Sequence, residues 1–331
     1  MKISLDAYGS DNCPLAEVEG AVLAIKENVC EKIYLVGKED ELASHLDKFI
    51  YDKSRIEIVH APDVISMDDD PSVSARKKTD SSMVVALRLH KEGKADAAVS
   101  AGNTGAMMAA SLFALGRIKN VSRPAIALTF PTMHGQEIVL DVGANVDCES
   151  QHLEQFAVLG SLYAKFSFNL ESPTVSLLNI GEESKKGNEL TKTAYQALSQ
   201  NKEINFIGNI EGKDLLKGVT DVVVCDGFVG NVMLKSVEGA AMAIFDMMKE
   251  QMKHDWVAKI GALLSYPVYK YLKKKLDHSE YGGALLVGLN GISVVAHGRS
   301  NAIAIKNAVK FAAKISESAF IEEVKEYFER K

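Results

Sequence analysis

The sequence predicts an α/β fold built on a largely parallel, doubly wound sheet, and three observations carry that prediction. Short apolar runs alternate with longer segments of helical period along the whole chain. Several runs are nearly continuous in Val, Ile and Leu, as strands covered on both faces require. Polar loops rich in Gly and Asn follow strand after strand, at the edge where such sheets receive ligands.

In order, KISLDA (2–7), KIYLVG (32–37) and RIEIVH (55–60) read as strands, with helices at 14–27 and 39–48 between them. DAAVS (96–100), AIALTF (125–130), EIVLDV (137–142), TVSLLNI (174–180), INFIGNI (204–210) and DVVVCDG (221–227) continue the series. Helices are expected at 104–115, 150–168, 188–199 and 228–250, and a last one over 301–329. No Pro- or Ser-rich linker, low-complexity tract or solenoid period divides the chain, so 1–331 reads as one α/β catalytic unit, with two lobes around a cleft left open.

The bulk properties narrow the function classes. With 47% hydrophobic and 25% charged residues the chain has globular rather than disordered composition, and its 331 residues suffice for a large core. A net charge of −6 disfavours general nucleic-acid binding, because a phosphate backbone meets a repelling average field. The start MKISLDAYG lacks the apolar core of a secretory signal, and no stretch is read as long enough to cross a bilayer. Cys13, Cys30, Cys148 and Cys225 are scattered without a CxxC pair, so free thiols in a reducing cytosol are expected. The eight histidines are dispersed, with no metal-ligand spacing, and no metal or cofactor is expected. GxGxxG after the first strand, GxxxxGK[ST] and GxSxG are all missing. Cys225, inside an apolar run, reads as a packed core thiol rather than a nucleophile.

The chemistry is expected in the loops. DAAVS ends in Ser100, and Gly102, Asn103 and Thr104 follow, then an apolar helix; the glycine lets backbone N–H groups approach a ligand, and the helix adds its positive end. An N-cap and tight turn is the plainer reading of the same residues. Similar loops hold Asp141 and Asn145, then Asn179 with Lys186, then Asn209, then Asp226, Gly227, Gly230 and Asn231. Each alone is an ordinary turn, but five at five strand ends point to a cleft for a small anion.

Taken in order, these motifs resemble the bacterial phosphate:acyl-acyl-carrier-protein acyltransferases, the PlsX family. The resemblance runs along nearly the whole chain: DAYGSD at 6–11, Met67 to Pro71, RKKTDSSM at 76–83, SAGNTGA at 100–106, Arg123-Pro124-Ala125, DVGAN at 141–145, NIGEE with Lys186-Gly187, GNIEG at 208–212, CDGFVGN at 225–231, Gly282-Gly283 and HGRS at 297–300. Tyr8 and Ser10 depart from the family's DAMGGD opening. The resemblance implies a three-layer fold like isocitrate and isopropylmalate dehydrogenases, a distant relation to phosphotransacetylase, and a homodimer. It also implies transfer of a fatty acyl group from acyl carrier protein to inorganic phosphate, the acyl phosphate then passing to a membrane glycerol-3-phosphate acyltransferase in phospholipid synthesis.

The residues suit that chemistry. Phosphate is a ready nucleophile and a thiol with a pKa of about 8.5 leaves readily, so the enzyme supplies alignment and oxyanion stabilisation. Phosphate is expected on the Ser100–Thr104 loop with Asn145 and Lys186. Asn231 and the Gly227–Gly230 backbone are expected near the thioester carbonyl, with Asp226 or Asp141 orienting them.

Residues 253–276 form a basic amphipathic stretch. Trp256, Ile260, Leu264, Val268, Leu272 and Leu276 recur every four residues, among Lys253, Lys259, Lys270, Lys273, Lys274 and Lys275. Pro267 is expected to break it into a helical hairpin. Contact with an anionic membrane, with acyl carrier protein or with a partner subunit competes with an ordinary core-covering helix. The expected location is cytoplasmic, peripheral to the inner face of the membrane. Rival functions are an acyl-coenzyme A phosphotransacetylase, a decarboxylating dehydrogenase on the related fold, and a non-catalytic scaffold for carrier protein.

Overall fold

The computed structural model describes residues 1–254, 256–276 and 282–330, without the side chains of residues 253, 254, 273, 274 and 276. Nine strands fall on the predicted runs: β1 (Lys2–Asp6), β2 (Lys32–Gly37), β3 (Ile56–His60), β4 (Ala97–Ser100), β5 (Ala125–Pro131), β6 (Gln136–Leu140), β7 (Thr174–Asn179), β8 (Asn205–Glu211) and β9 (Val222–Val224). Two more, β10 (Ala284–Val287) and β11 (Ile292–Val295), lie in the glycine-bearing region near the C-terminus. All join one sheet, in the order β3-β2-β1-β4-β11-β10-β5-β6-β9-β7-β8. The last two strands of the chain therefore sit at the centre of the sheet.

The sheet is mostly parallel but not throughout. β10 runs antiparallel to both β11 and β5, and β5 antiparallel to β6. The expectation of a largely parallel sheet holds; the antiparallel pairs at this centre follow from short connections. A parallel pair needs a crossover of about a dozen residues or more, whereas β5 and β6 are joined by residues 132–135 and β10 and β11 by 288–291. The two parallel blocks on either side run in opposite directions.

The helices are α1 (Leu15–Lys26), α2 (Glu39–Leu46), α3 (Pro71–Lys77), α4 (Ser82–Lys91), α5 (Thr104–Ala114), α6 (Ser150–Phe168), α7 (Glu189–Gln200), α8 (Gly227–His254), α9 (Trp256–Leu276), α10 (Ala302–Ser316) and α11 (Phe320–Glu329). They cover the sheet on both faces, making three layers. α1, α6, α10 and α11 bury Val18, Phe156, Ile305 and Phe320 on one face. α4, α5 and the start of α8 place Leu87, Met107 and Leu234 on the other.

Three helical expectations change. The single helix over 301–329 is two, because Ser318 donates its hydroxyl to the Ile315 carbonyl (2.7 Å) and competes with the backbone ladder between α10 and α11. Pro267 does not break the basic stretch: α9 continues through it. Proline removes one backbone bond to the residue four before it, but Leu263 is 77% exposed, so water can take the freed carbonyl. The hairpin is instead formed by α8 and α9, pinned by the edge-to-face pair Phe245–Tyr269 (5.1 Å). Lys275 ties the end of α9 to the Met133 carbonyl in the β5–β6 turn (3.0 Å). Finally, Gly227–Met252 is long and apolar enough to cross a membrane by length and composition, contrary to the sequence reading. Its first turns, however, lie on the sheet face, where Asn231 and Leu234 help line a hollow.

Candidate active site

The loop after β6 is organised by one carboxylate. Asp141 is fully buried and accepts five hydrogen bonds, from the backbone N–H groups of Ile126, Gly143, Ala144 and Asn145 and from the Asn145 side-chain amide, at 2.7–3.2 Å. Burial still pushes its carboxyl above the usual range, against the pull of the Ala144, Ile126 and Asn145 bonds. Asn145 gives its other amide hydrogen to the Pro124 carbonyl (2.8 Å), which leaves no donor for a ligand. The start of α8 presses on this loop. A Cβ at Gly227 would stand 2.8 Å from Asp141 Oδ2, and one at Gly230 would overlap the Asp141 carbonyl. Only glycine lets the helix approach so closely. The Asp226 side chain caps this helix by accepting from Val229 N–H (2.9 Å). Buried Cys225 has its thiol pushed well up, mainly by desolvation and then by Asp141, as befits a core thiol.

The loop after β4 is likewise bonded internally. Ser100 is buried and donates to Asp6 (2.6 Å), a carboxyl that burial raises, while accepting from Gly102 N–H. Asn103 caps α5 by accepting from Ala106 N–H (3.0 Å), and its amide donates to the carbonyls of Met67 and Asp69. The plainer N-cap reading thus holds for Asn103, which also clamps the 66–70 loop over the helix start. Thr104, the first residue of α5, is exposed.

The loop after β7 is held by Asn179 at the end of β7 and Asn209 within β8. Asn179 donates to the Lys186 carbonyl (3.2 Å) and Asn209 to the Glu183 carbonyl (3.1 Å), so both shape the 180–188 loop. Lys186 is exposed on that loop.

What these walls leave open is a hollow of about 320 Å³ between the start of α5 and the first turns of α8. Its floor is apolar, formed by Ile126 and Leu128 of β5, Ala284 of β10, Val295 of β11 and Leu234 of α8. Thr104 enters from α5, Gly143 from the β6 loop, and Asn231, Lys235 and Glu238 from α8, with Gly283 and His297 completing the rim. Asn231 lies so near Gly143 that a Cβ there would be 3.5 Å from its Cγ. No hydrogen bond to the Asn231 amide or the Thr104 hydroxyl is made among the described residues. Of the predicted residues, the structure brings Thr104 and Asn231 into the hollow, with Asp141, Asn145, Gly227 and Gly230 supporting it from behind. Ser100, Asn103, Asn179 and Asn209 are engaged elsewhere, and Lys186 is absent from the lining. Lys235 was missed, although it lies four residues after Asn231 and so on the same helical face. Among the described residues no group of three or more His, Cys, Asp or Glu could hold a metal ion.

An exposed helix start beside an apolar floor is an arrangement suited to a small-molecule transferase, and comparison with known proteins gives the class. The chain belongs to the fatty acid synthesis protein family, whose model matches residues 1–323. Among its relatives are the phosphate acyltransferase of Dictyoglomus thermophilum, 51% identical over 317 residues, covering 95% of this chain and 94% of the relative, and that of Pelotomaculum thermopropionicum, 50% identical over 329 residues, covering 99% and 95%. The resemblance read from the ordered motifs is borne out, as is the reading of the chain as an enzyme of the acyltransferase class. In fold it is similar to a phosphotransacetylase from Staphylococcus aureus (TM-score 0.61, 18% identity, 96% of this chain and 94% of that one). It is also similar to 4-hydroxythreonine-4-phosphate dehydrogenase from Klebsiella pneumoniae (TM-score 0.53, 13% identity, 96% and 98%).

Proposed function

We propose that the protein transfers a fatty acyl group from acyl carrier protein to inorganic phosphate, on one catalytic unit of the isocitrate and isopropylmalate dehydrogenase type. The observation that carries this reading is the hollow itself: exposed Thr104 at the start of α5 and the Asn231 amide, which has no partner among the described residues, both line it beside an apolar floor. The α5 start supplies backbone N–H groups and a partial positive charge for phosphate. Ile126, Leu128 and Leu234 suit the first carbons of an acyl chain. A phosphate oxygen attacks the thioester carbonyl carbon; a C–O bond forms, the C–S bond breaks, and the thiolate leaves with the electron pair. The proton of hydrogen phosphate ends on sulfur, so the products are acyl phosphate and free thiol. Asn231 donates to the carbonyl oxygen as it becomes an oxyanion. Asp141, Asn145, Gly227, Gly230 and the Asp226 cap hold Asn231 in place. Ser100, Gly102 and Asn103 fix the α5 start, and Asn179 and Asn209 fix the loop bearing Lys186, a cation on the rim.

The test is mass detection of acyl phosphate from acyl carrier protein and phosphate. If phosphate releases coenzyme A from acyl-coenzyme A and no thiol from acyl carrier protein, the phosphotransacetylase reading replaces this one.

The reading extends to a homodimer, to a cytoplasmic enzyme peripheral to the membrane, and to delivery of acyl phosphate to a membrane glycerol-3-phosphate acyltransferase. Its support is the outer part of the α8–α9 hairpin, where Trp256, Ile260 and Leu264 are 72%, 51% and 78% exposed and Lys270 is exposed beside them. That pattern suits an anionic lipid surface. The side chains of Lys273 and Lys274 lie outside the described residues. Intact protein should sediment with anionic vesicles, and Trp256→Ala with Leu264→Ala should release it; no sedimentation of intact protein would sink the membrane reading.

A further inference from the structure

We infer that Glu17 is a positioning residue for the transfer: by fixing residues 9–11 it sets the start of α5 against the 297–300 loop. This rests on the acyl-transfer reading above. The DAYGSD segment at 6–11 lines no part of the hollow, yet it stands between two of its walls. On one side Gly9 lies against the residues that lead into α5, where a Cβ would come 2.6 Å from Gly102 N and 2.8 Å from Ala101 N. On the other side Asp11 donates its N–H to the Gly298 carbonyl (2.7 Å). Thr104, two residues past Gly102, and His297, one before Gly298, both line the hollow. A shift of residues 9–11 is therefore felt at both.

Between these two contacts the Ser10 N–H is held by Glu17 Oε1 (2.9 Å), from the first turn of α1. Glu17 is fully buried, and its other carboxyl oxygen has no partner among the described residues. A buried polar atom without a partner is costly, and such costs collect where a group has a task besides packing. Asp6 anchors the other end of the segment, accepting from the Ser100 hydroxyl (2.6 Å) and from Tyr8 N–H (3.1 Å). Burial, with the Asp6 charge adding to it, pushes the Glu17 carboxyl up to about 7 against the pull of Ser10. Near neutral pH much of it is thus uncharged, a form that glutamine copies, and a glutamine amide oxygen can still take the Ser10 N–H. Alanine cannot.

The experiment compares Glu17→Ala, Glu17→Gln and Val18→Ala with the unaltered protein, reading amide hydrogen exchange by mass spectrometry and the kinetics of acyl phosphate formation. Val18, the next residue of α1, is also fully buried in the core and serves as the structural control. Glu17→Ala should speed exchange at both 100–104 and 296–300. It should also lower kcat/KM for phosphate by about tenfold or more, since a misplacement of about 1 Å can cost a hundredfold. Glu17→Gln should recover most of both losses. Val18→Ala should lower the thermal midpoint and leave exchange in the two segments and kcat/KM near those of the unaltered protein. If Glu17→Ala does not fold, Glu17→Asp, whose carboxyl falls one methylene short of Ser10, takes its place in the comparison. Unchanged kcat/KM in the Glu17 variant, an equal loss in Val18→Ala, or faster exchange confined to 8–12 overturns the inference. If the unaltered protein forms no acyl phosphate while the Glu17 variant exchanges faster at both segments, the acyl-transfer reading fails and the coupling of the two walls stands.

Discussion

The loop after β6 and the first turns of α8 touch each other, yet their polar groups are used in opposite ways. Around Asp141 every donor points inward: five hydrogen bonds converge on one buried carboxylate, and the Asn145 amide is fully engaged. One layer away, Asn231 and Lys235 face the hollow with no partner among the described residues. Residues of the same chemical types thus build the wall in one case and face the hollow in the other. What separates them is whether the protein itself satisfies their hydrogen bonds.

The largest expected effect breaks the wall. Asp141→Ala strips five donors of their acceptor inside a dry loop and should lower the unfolding free energy by about 4 kcal/mol or more, since each unsatisfied buried group costs roughly 1–3 kcal/mol and neighbours relax together. Urea unfolding measures it; a loss below about 1 kcal/mol would mean that the loop is not organised by this carboxylate. Asn231→Ala should do the reverse, leaving the unfolding midpoint in place while lowering kcat about a hundredfold, the worth of one oxyanion donor. A matched fall in stability and activity would make Asn231 another wall residue.

A third effect sharpens the comparison within β6 itself. Glu137, four residues before Asp141, is also fully buried, but neither of its carboxylate oxygens has a partner among the described residues, and burial pushes its pKa up to about 8. Its folded value lies above the unfolded 4.5, so the folded state holds the proton longer. Stability from this group is therefore present at low pH and is lost as pH rises from about 4.5 towards 8. Glu137→Leu should show a shallower decline over that window in urea melts at pH 5 and pH 8. Parallel declines in the two proteins would remove Glu137 as the cause.

The same contrast explains what the sequence made legible. Buried strands announce themselves as apolar runs, and nine were placed where the structure has them. β10 and β11 escaped because they lie among glycines, with Gly282, Gly283, Gly288 and Gly291 flanking their apolar runs. Strand direction is not written in apolar runs, but the short 131–136 gap between two of them already implied an antiparallel pair. The site was half readable. Gly and Asn marked the loops, but capping and ligand binding call for the same residue types, so Asn103 and Asn231 look alike until their partners are known. Lys235 could have been found by extending the Asn231 motif one helical turn.

The central position of β10 and β11 has a consequence for how the chain is made. β4 and β5 are neighbours of β11 and β10, and neither pairs with the other. Until residues 284–295 leave the ribosome, the nascent polypeptide carries two separate half-sheets, each with a bare inner edge of unpaired backbone groups. Synthesis of about the final seventh of the protein zips the halves together, with long-range pairings that are intrinsically slow to form. A premature stop before residue 284 would thus yield two sticky fragments on one string rather than a shortened enzyme.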